Sequence, residues 1–241
     1  MEKNKFHILT EGCAAFGIHL NDQQIEQFEI YYELLVEWNK VMNLTGITAF
    51  DEVMLKHFVD SAAITRAINM EEVNTLIDVG TGAGFPGLPL KIIYPHLKVV
   101  LLDSLNKRIH FLNEVVDKLA LVDVETIHGR AEDAAKKTEY RESFDVAVSR
   151  AVANLSSLSE YCIPFVKKCG YFIPYKSGNV EEEAKDAKKA IQVLGGELKK
   201  TEKFYLPDSD VERSLLVIEK VKNTPKRYPR KAGIPVKEPI Q

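Results

Sequence analysis

The chain has 241 residues, of which 45% are hydrophobic, and this is enough for one domain with a modest appendage. Its three cysteines, Cys13, Cys162 and Cys169, have spacings that suit neither a zinc site nor a disulfide framework. No apolar stretch has the length of a signal peptide or a membrane span. We therefore expect a cytoplasmic protein with no metal and no membrane partner. The formal net charge of −3 does not favour a nucleic-acid partner, but the charge is unevenly distributed.

The first 70 residues are predicted to be helical. Apolar side chains recur at helical spacing from Asp22 to Asn43, which predicts an amphipathic helix. A second helical pattern runs from Val53 to Ile64, with Asp51 placed to cap its start. We expect residues 1–70 to form a helical extension packed on the rest of the chain.

From Asn74 onward, short β-rich runs alternate with helical stretches, which indicates βαβ units and a parallel sheet. We expect residues 71–222 to form one α/β domain with a doubly wound, mostly parallel, seven-stranded sheet of the Rossmann-like kind. The predicted strands are 75–79, 99–103, 124–128, 144–149, 171–175, 203–206 and 215–221, and the predicted helices lie near 87–93, 107–119, 155–166 and 180–194.

The sharpest motif is a glycine-rich turn directly after the first predicted strand. It reads Asp78-Val-Gly80-Thr-Gly82-Ala-Gly84-Phe85-Pro86-Gly87 and leads into a helix. In doubly wound sheets, ligands bind at the carboxyl ends of the strands, where glycines let the backbone approach closely. The turn therefore predicts a nucleotide-cofactor site.

The choice of cofactor depends on charge. Gly82-x-Gly84-x-x-Gly87 formally matches the dinucleotide fingerprint, and Asp103 after the second strand could hold a ribose of either cofactor. The carboxylate of Asp78 would repel a pyrophosphate but attract an ammonium group, directly or through water. This charge pattern favours S-adenosylmethionine over a nicotinamide dinucleotide.

The last part of the chain is a basic, proline-containing tail at residues 223–241. Prolines exclude a regular helix here, and the strip from Lys220 to Lys237 contains no acidic residue. Tyr228 among the cations favours an arm that binds single-stranded nucleic acid through stacking and phosphate contacts. The predicted RNA-binding cations of this tail are Lys226, Arg227, Arg230 and Lys231.

Several motifs together resemble the glucose-inhibited division protein B family, the 16S ribosomal RNA guanine-N7 methyltransferases. They occur in the same order over nearly the whole chain: Tyr32-x-x-Leu35-x-x-Trp38-Asn39, Asn43-Leu44-Thr45, His57-Phe58-x-Asp60-Ser61, the glycine-rich turn, Asp103-Ser104-x-x-Lys107-Arg108 and Ser149-Arg150-Ala151-Val152-Ala153. The resemblance implies a methyltransferase domain at 71–222, S-adenosylmethionine as donor, and 16S ribosomal RNA or the small subunit as partner. The implied acceptor is a guanine N7 in the decoding-region loop, in a bacterial cytoplasm, and we expect a monomer.

The resemblance also implies residue roles. Arg150, after the fourth strand, stands where both donor and acceptor are reached, and it is the predicted catalytic residue. Lys107 and Arg108 are predicted to contact RNA, although a solvated helix start explains them equally well. The predicted cofactor-binding residues are Asp78, Gly80, Gly82, Gly84, Phe85, Asp103, Ser104, Leu105, Ala131, Glu132 and Arg150.

Two other functions remain open from the sequence. A nicotinamide-dependent oxidoreductase would share the fold, but it should use a Tyr-x-x-x-Lys or His–Asp pair for hydride transfer, and we cannot place such a pair at the predicted site. A non-catalytic RNA-binding protein would keep the helical start and the basic tail. His57 and Asp60 lie three residues apart on one helical face, and we interpret them as a structural hydrogen-bonded pair rather than metal ligands.

Overall fold

The computed structural model describes residues 5–150, 153–178 and 180–241. Its centre is a seven-stranded sheet built from β1 (Thr75–Val79), β2 (Lys98–Asp103), β3 (Val124–His128), β4 (Phe144–Arg150), β5 (Val166–Ser177), β6 (Gly196–Tyr205) and β7 (Glu212–Lys220). The strand order is β3-β2-β1-β4-β5-β7-β6. β1 to β5 are parallel to one another, and β7 runs antiparallel between β5 and β6. The predicted mostly parallel seven-stranded sheet is confirmed.

The strand order fixes where a ligand can bind. From β1 the chain moves outward to β2 and β3, and then crosses back to place β4 on the other side of β1. This reversal leaves a crevice outside the carboxyl ends of β1 and β4, which is the usual ligand position in open α/β sheets. Gly80 follows β1 and Arg150 ends β4, so both lie at this crevice.

The helices before the sheet differ from the sequence prediction in their bounds. They are α1 (His7–Ala14), α2 (Asp22–Asn39), α3 (Phe50–Val53), a π-helix (Met54–Val59), α4 (Asp60–Ala62) and two 3₁₀ turns (Ala63–Arg66, Met70–Glu72). Asn21 caps α2 in a capping box with Gln24, a helix start that favours this position. The predicted cap Asp51 is wrong, because α3 begins at Phe50 behind Ala49 and Asp51 lies inside its first turn.

The remaining helices flank the sheet. They are α5 (Gly87–Ile93), α6 (Asn106–Lys118), α7 (Ala131–Ala134), α8 (Leu155–Cys162) with a 3₁₀ turn (Ile163–Phe165), α9 (Glu181–Asp186), α10 (Lys188–Val193) and α11 (Ile234–Lys237). The single helix predicted at 180–194 is therefore two helices. The short α11 also lies in the tail for which prolines predicted no regular helix, with Pro235 inside its first turn, where proline is tolerated.

Helices cover both faces of the sheet, as the doubly wound prediction requires. Alternate residues of β1 separate the two layers: Leu76 belongs to a core shared with α2, α5, α6 and the π-helix. Ile77 belongs to a core shared with α8 and α10. The helical extension therefore packs on the first face of the sheet, the face of Leu76, α5 and α6. Its Gln24 Nε2 donates to the Ile92 carbonyl at 2.8 Å. No helix in the described part of the chain is both long and apolar enough to cross a membrane.

The C-terminal segment, residues 223–241, does not extend as an arm but packs on the second face of the sheet, the face of Ile77, α8 and α10. Arg141 donates to the carbonyl oxygens of Thr224 and Tyr228 at 2.8 and 2.9 Å. Tyr228 is half-buried against the second core. The interpretation of this segment as a free arm with Tyr228 as a stacking platform is therefore corrected: the aromatic ring is part of the protein's own packing.

Candidate functional site

The glycine-rich turn between β1 and α5 folds as it does because of its backbone geometry. Gly80, Gly82 and Gly84 all have positive φ, at 71°, 63° and 95°, a region that only glycine adopts freely. A Cβ on Gly82 would meet nothing within 4 Å, so this residue leaves open space beside the cleft. A Cβ on Gly84 would lie 2.5 Å from Leu88 Cδ1. The absence of a side chain at Gly84 therefore allows the turn to pack on α5, and its contact with a cofactor stays a prediction.

The carboxylate of Asp78, near the end of β1, holds the glycine-rich turn in place through hydrogen bonds. Its Oδ2 accepts hydrogen bonds from Thr81 Oγ1 at 2.7 Å and from the Gly87 amide at 2.8 Å, while its Oδ1 is buried without a partner. Burial raises the pKa of this carboxyl to about 6. These bonds shape the turn, and Asp78 is not among the described residues that line the cleft. Its contact with a cofactor, directly or through water, stays a prediction.

A cleft of about 380 Å³ opens above the turn at the carboxyl ends of β1, β2 and β4. It is lined by Leu44, Thr45, His57, Gly80, Thr81, Gly82, Ala83, Phe85, Asp103, Ser104, Arg108 and Arg150. Pockets of this volume suit small-molecule cofactors. The cleft brings together five predicted cofactor residues besides Arg150, and it adds side chains from the helical extension.

Asp103 is held at the mouth of this cleft. Its Oδ2 accepts from the Gly82 amide at 2.9 Å and from Arg108 Nη1 at 3.1 Å, and its Oδ1 accepts from the Leu105 amide at 2.9 Å. The Leu105 side chain is 52% exposed and does not line the cleft, and its contact with a cofactor stays a prediction. Arg108 forms an ion pair with Asp103, and its contact with RNA stays a prediction.

A smaller pocket of about 160 Å³ continues from the cleft, with which it shares Gly80 and Ser104. Ala131 and Glu132, at the start of α7, line it together with Tyr161 of α8. Glu132 is 4% exposed, and its Oε1 accepts a hydrogen bond from the Gly233 amide at 2.9 Å. Ala131, Glu132 and Ser104, all predicted cofactor-binding residues, line this one pocket. No pattern in the sequence indicated that the end of the chain would reach it.

Phe85 is the centre of an aromatic stack beside the cleft. The His57 ring stacks on it at a centroid distance of 4.6 Å, and the Tyr31 ring does so at 5.4 Å. The Arg150 guanidinium lies 5.0 Å from the same ring centroid, within the range of a cation–π interaction. Tyr31 and His57 come from the extension, so two separate parts of the chain build this stack.

His57 is kept neutral by its surroundings. Burial, and secondly the charge of Arg150, lower the pKa of its imidazole to about 4. Its Nε2 lies 2.8 Å from Thr45 Oγ1, and its Nδ1 lies 3.1 Å from the Lys56 carbonyl oxygen. The predicted hydrogen bond between His57 and Asp60 is replaced by these contacts, because the π-helix directs the two side chains to different partners.

Asp60 instead joins two arginines. Its Oδ2 accepts from Arg150 Nη1 at 3.0 Å and its Oδ1 accepts from Arg213 Nε at 2.9 Å. The carboxylate is only 2% exposed. Asp60 and Arg213 were missed as site residues, because their partners lie 90 and 153 residues apart in sequence and no local pattern links them.

A second cleft, of about 440 Å³, lies on the other side of Arg150 and His57, which line both clefts. Four cations, Lys56, Arg150, Lys176 and Arg213, face two carboxylates there, those of Asp60 and Glu183. Each cation is in an ion pair: Arg150 and Arg213 with Asp60, Lys176 with Glu183, and Lys56 with Glu52. Cations still outnumber the carboxylates of these pairs, and this excess of positive charge favours an anionic ligand next to the first cleft.

The other predicted RNA-binding residues have unequal exposure. Lys107, Lys226, Arg227 and Lys231 are exposed. Arg230 is less exposed, because its guanidinium binds both oxygens of the buried Glu160 at 2.7 to 3.0 Å. Its contact with RNA stays a prediction. Among the described residues, no group of three or more His, Cys, Asp and Glu side chains is arranged to hold a metal ion.

Comparison with known proteins adds a family to this geometry. A family model described as rRNA small subunit methyltransferase G matches residues 24–215. The ribosomal RNA small subunit methyltransferase G of Lachnoclostridium phytofermentans is 56% identical over 230 residues, which cover 95% of this chain and 95% of that protein. The protein of the same name from Bacillus subtilis is 51% identical over 96% of this chain and 97% of its own length.

Solved structures show the same fold at low sequence identity. A SAM-dependent methyltransferase from Aquifex aeolicus has a TM-score of 0.50 and 20% identity, over 66% of this chain and 89% of its own. M. jannaschii TYW2 in complex with AdoMet has a TM-score of 0.50 and 17% identity, over 62% of this chain and 70% of its own. These likenesses concern the fold, which is that of SAM-dependent methyltransferases.

Proposed function

Because the chain belongs to the rRNA small subunit methyltransferase G family, we propose that it transfers a methyl group from S-adenosylmethionine to N7 of a guanine in the decoding-region loop of 16S ribosomal RNA. The observation that carries this proposal is the pair of adjoining clefts, with Arg150 and His57 in the wall between them. One cleft has the features of a donor site and the other those of an anionic acceptor site.

The residues of the first cleft fit S-adenosylmethionine. Gly82 leaves room for a ligand close to the backbone, and Gly80 lines the same cleft. The carboxylate of Asp103 at the mouth is the group that accepts ribose hydroxyls in this fold. The smaller pocket beside Ala131 and Glu132 offers a carboxylate for the amino group of adenine. When bound, this donor supplies a methyl group on a positively charged sulfur.

The second cleft fits a nucleotide of RNA. Its excess of cations attracts phosphate, and Arg213 and Lys176 stand on the side away from the first cleft. Arg150 is held by Asp60 in the wall between the two clefts, where a guanidinium can contact both ligands. We propose that Arg150 orients the acceptor nucleotide and is the catalytic residue.

The chemistry requires no general base. N7 of guanine carries a lone pair and no proton, so the protein has to align this nitrogen with the methyl–sulfur bond. Alignment of this kind contributes up to about 7–11 kcal/mol to lowering a barrier. Methylation leaves a positive charge on the purine, and the neutral state of His57, whose pKa is lowered to about 4, avoids an additional cation beside it.

The test is methyl transfer from tritiated S-adenosylmethionine to small subunits from cells that lack the modification, followed by cleavage at 7-methylguanine. We expect label at one guanine of the decoding-region loop with the wild-type protein and a large loss with Arg150→Ala. Lys168→Ala is the matched control, since Lys168 is exposed near the amino end of β5, and it should label as the wild type does.

Each result has a separate meaning for the proposal. Label at another base, or on another atom of guanine, would refute the N7 assignment while leaving methyl transfer intact. Saturable donor binding without label on subunits or free RNA would refute the acceptor.

We also propose that the protein acts as a monomer in the cytoplasm, where its ribosomal substrate is assembled.

A further inference from the structure

The C-terminal segment contacts the walls of the pocket beside Glu132. Arg230 donates from Nε, Nη2 and its backbone amide to Glu160 on α8, a carboxylate that is fully buried. Ser157, also on α8, donates from Oγ to the Pro235 carbonyl at 2.7 Å. These bonds fix the segment to α8, which carries Tyr161 into the same pocket.

The segment also reaches the opposite wall. The Gly233 amide donates to Glu132 Oε1 at 2.9 Å. Gly233 has a φ of 83°, and this left-handed conformation turns the chain between Arg230 and α11. The pocket wall formed by α7, which has only four residues, is therefore held by a residue about 100 positions further along the chain.

We propose that the C-terminal segment is a positioning element of the donor pocket, in which Gly233 fixes the Glu132 carboxylate and thereby sets the affinity for S-adenosylmethionine. This inference rests on the proposed function, since it takes the pocket beside Glu132 as the adenine end of the donor site. It assigns the segment a role in donor binding that is separate from any contact of its exposed cations with RNA.

The distinguishing experiment is donor affinity measured by calorimetry on the full chain with S-adenosylmethionine. Gly233→Pro removes the amide hydrogen and imposes a negative φ, so the bond to Glu132 is lost. A hydrogen bond to a charged group is among the stronger ones, and we expect about tenfold weaker donor binding, equivalent to about 1.4 kcal/mol. Gly233→Asn keeps the amide and tolerates the left-handed conformation, so it should bind within about twofold of the wild type.

A double-mutant cycle tests whether Gly233 acts through Glu132. Glu132→Gln should weaken donor binding by itself, and Gly233→Pro should add little when Glu132 is already changed, because contacting residues are not additive. Val236→Ala is the control within α11: this side chain is 54% exposed and should leave donor affinity unchanged. Urea unfolding of every variant checks that the fold is intact, and Ser157→Ala provides a second way to loosen α11 if Gly233→Pro fails to fold.

The outcomes separate this inference from the proposed function. Wild-type donor affinity in folded Gly233→Pro, or in Ser157→Ala where it takes that variant's place, would overturn the role of the segment. Fully additive effects of Gly233→Pro and Glu132→Gln would overturn the route through Glu132. If the wild-type protein itself bound no S-adenosylmethionine, the proposed function would fail before any variant was compared.

Discussion

Asp60 is the residue whose replacement tests most directly how the two clefts are joined. Its carboxylate is 2% exposed and accepts one hydrogen bond from Arg150 and one from Arg213. Asp60→Asn keeps the shape of the side chain but removes the negative charge. The two guanidinium groups then face each other without the anion that holds them, and one amide hydrogen of the new side chain points towards a cation.

The magnitude follows from the burial of these groups. Removing one partner of a buried ion pair costs about 3–5 kcal/mol. The side chains of Arg150 and Arg213 are 15% and 19% exposed, so water can restore part of their solvation. We therefore expect the lower end of that range, a loss of about 3 kcal/mol in the free energy of unfolding.

The assay is urea unfolding followed by the fluorescence of Trp38, the one tryptophan of the sequence. Asp51→Asn is the control, because Asp51 is exposed in the first turn of α3, and it should change the free energy of unfolding by less than about 0.5 kcal/mol. We propose that Arg150, which Asp60 holds, orients the acceptor nucleotide, so Asp60→Asn should lower kcat by about tenfold or more, equivalent to at least about 1.4 kcal/mol. Asp60 itself does not line the first cleft, so donor affinity should change less than kcat does. Wild-type stability together with wild-type kcat would refute the idea that Asp60 positions Arg150.

Two further predictions concern pH and salt. The folded-state pKa of His57 is lowered from 6.5 to about 4, so the unfolded chain takes up this proton first as the pH falls. The contribution of His57 to the free energy of unfolding is complete above pH 6.5 and is lost as the pH falls to about 4, by up to about 3 kcal/mol. His57→Gln should not show this loss. Equal pH profiles of the two proteins in urea unfolding would contradict the role of His57. The double variant Lys226→Ala/Lys231→Ala should weaken RNA binding and reduce the slope of log affinity against log salt concentration by about 1.4, the value for two phosphate contacts of a single strand. An unchanged slope would exclude these cations from the RNA contact.

The parts of the fold that were predicted correctly depend on local patterns. β1 is an apolar run buried on both faces that ends in glycines, and such a run is readable from the sequence alone. β6 was predicted only at 203–206, but it extends from Gly196 to Tyr205. Its sequence is rich in Lys and Glu because it is the edge strand of the sheet, where charged side chains face water and the hydrophobic signal is weak.

The candidate site likewise contains residues that local patterns in the sequence could predict and residues that they could not. Gly80, Gly82 and Asp103 lie within or next to the motifs at the ends of β1 and β2, so their meeting in one cleft follows from the parallel order of neighbouring strands. Arg213 could not be placed by this reasoning, since it lies on the antiparallel β7 and meets Asp60 only after the extension has docked. The sequence contains each residue, but the contact between them depends on tertiary packing.

The same dependence explains why the extension cannot be treated as an accessory to the sheet domain. Phe85 belongs to the glycine-rich turn, yet the rings that stack on it, those of Tyr31 and His57, come from the extension. Arg150 ends β4, yet the carboxylate that orients it is that of Asp60. The fold shared with other methyltransferases accounts for the first cleft, which lies at the carboxyl ends of the strands. The second cleft exists only where residues of the extension meet the carboxyl ends of β4 and β5. We therefore propose that the acceptor is selected at this junction, and substitutions there should change which RNA is methylated more than they change donor binding.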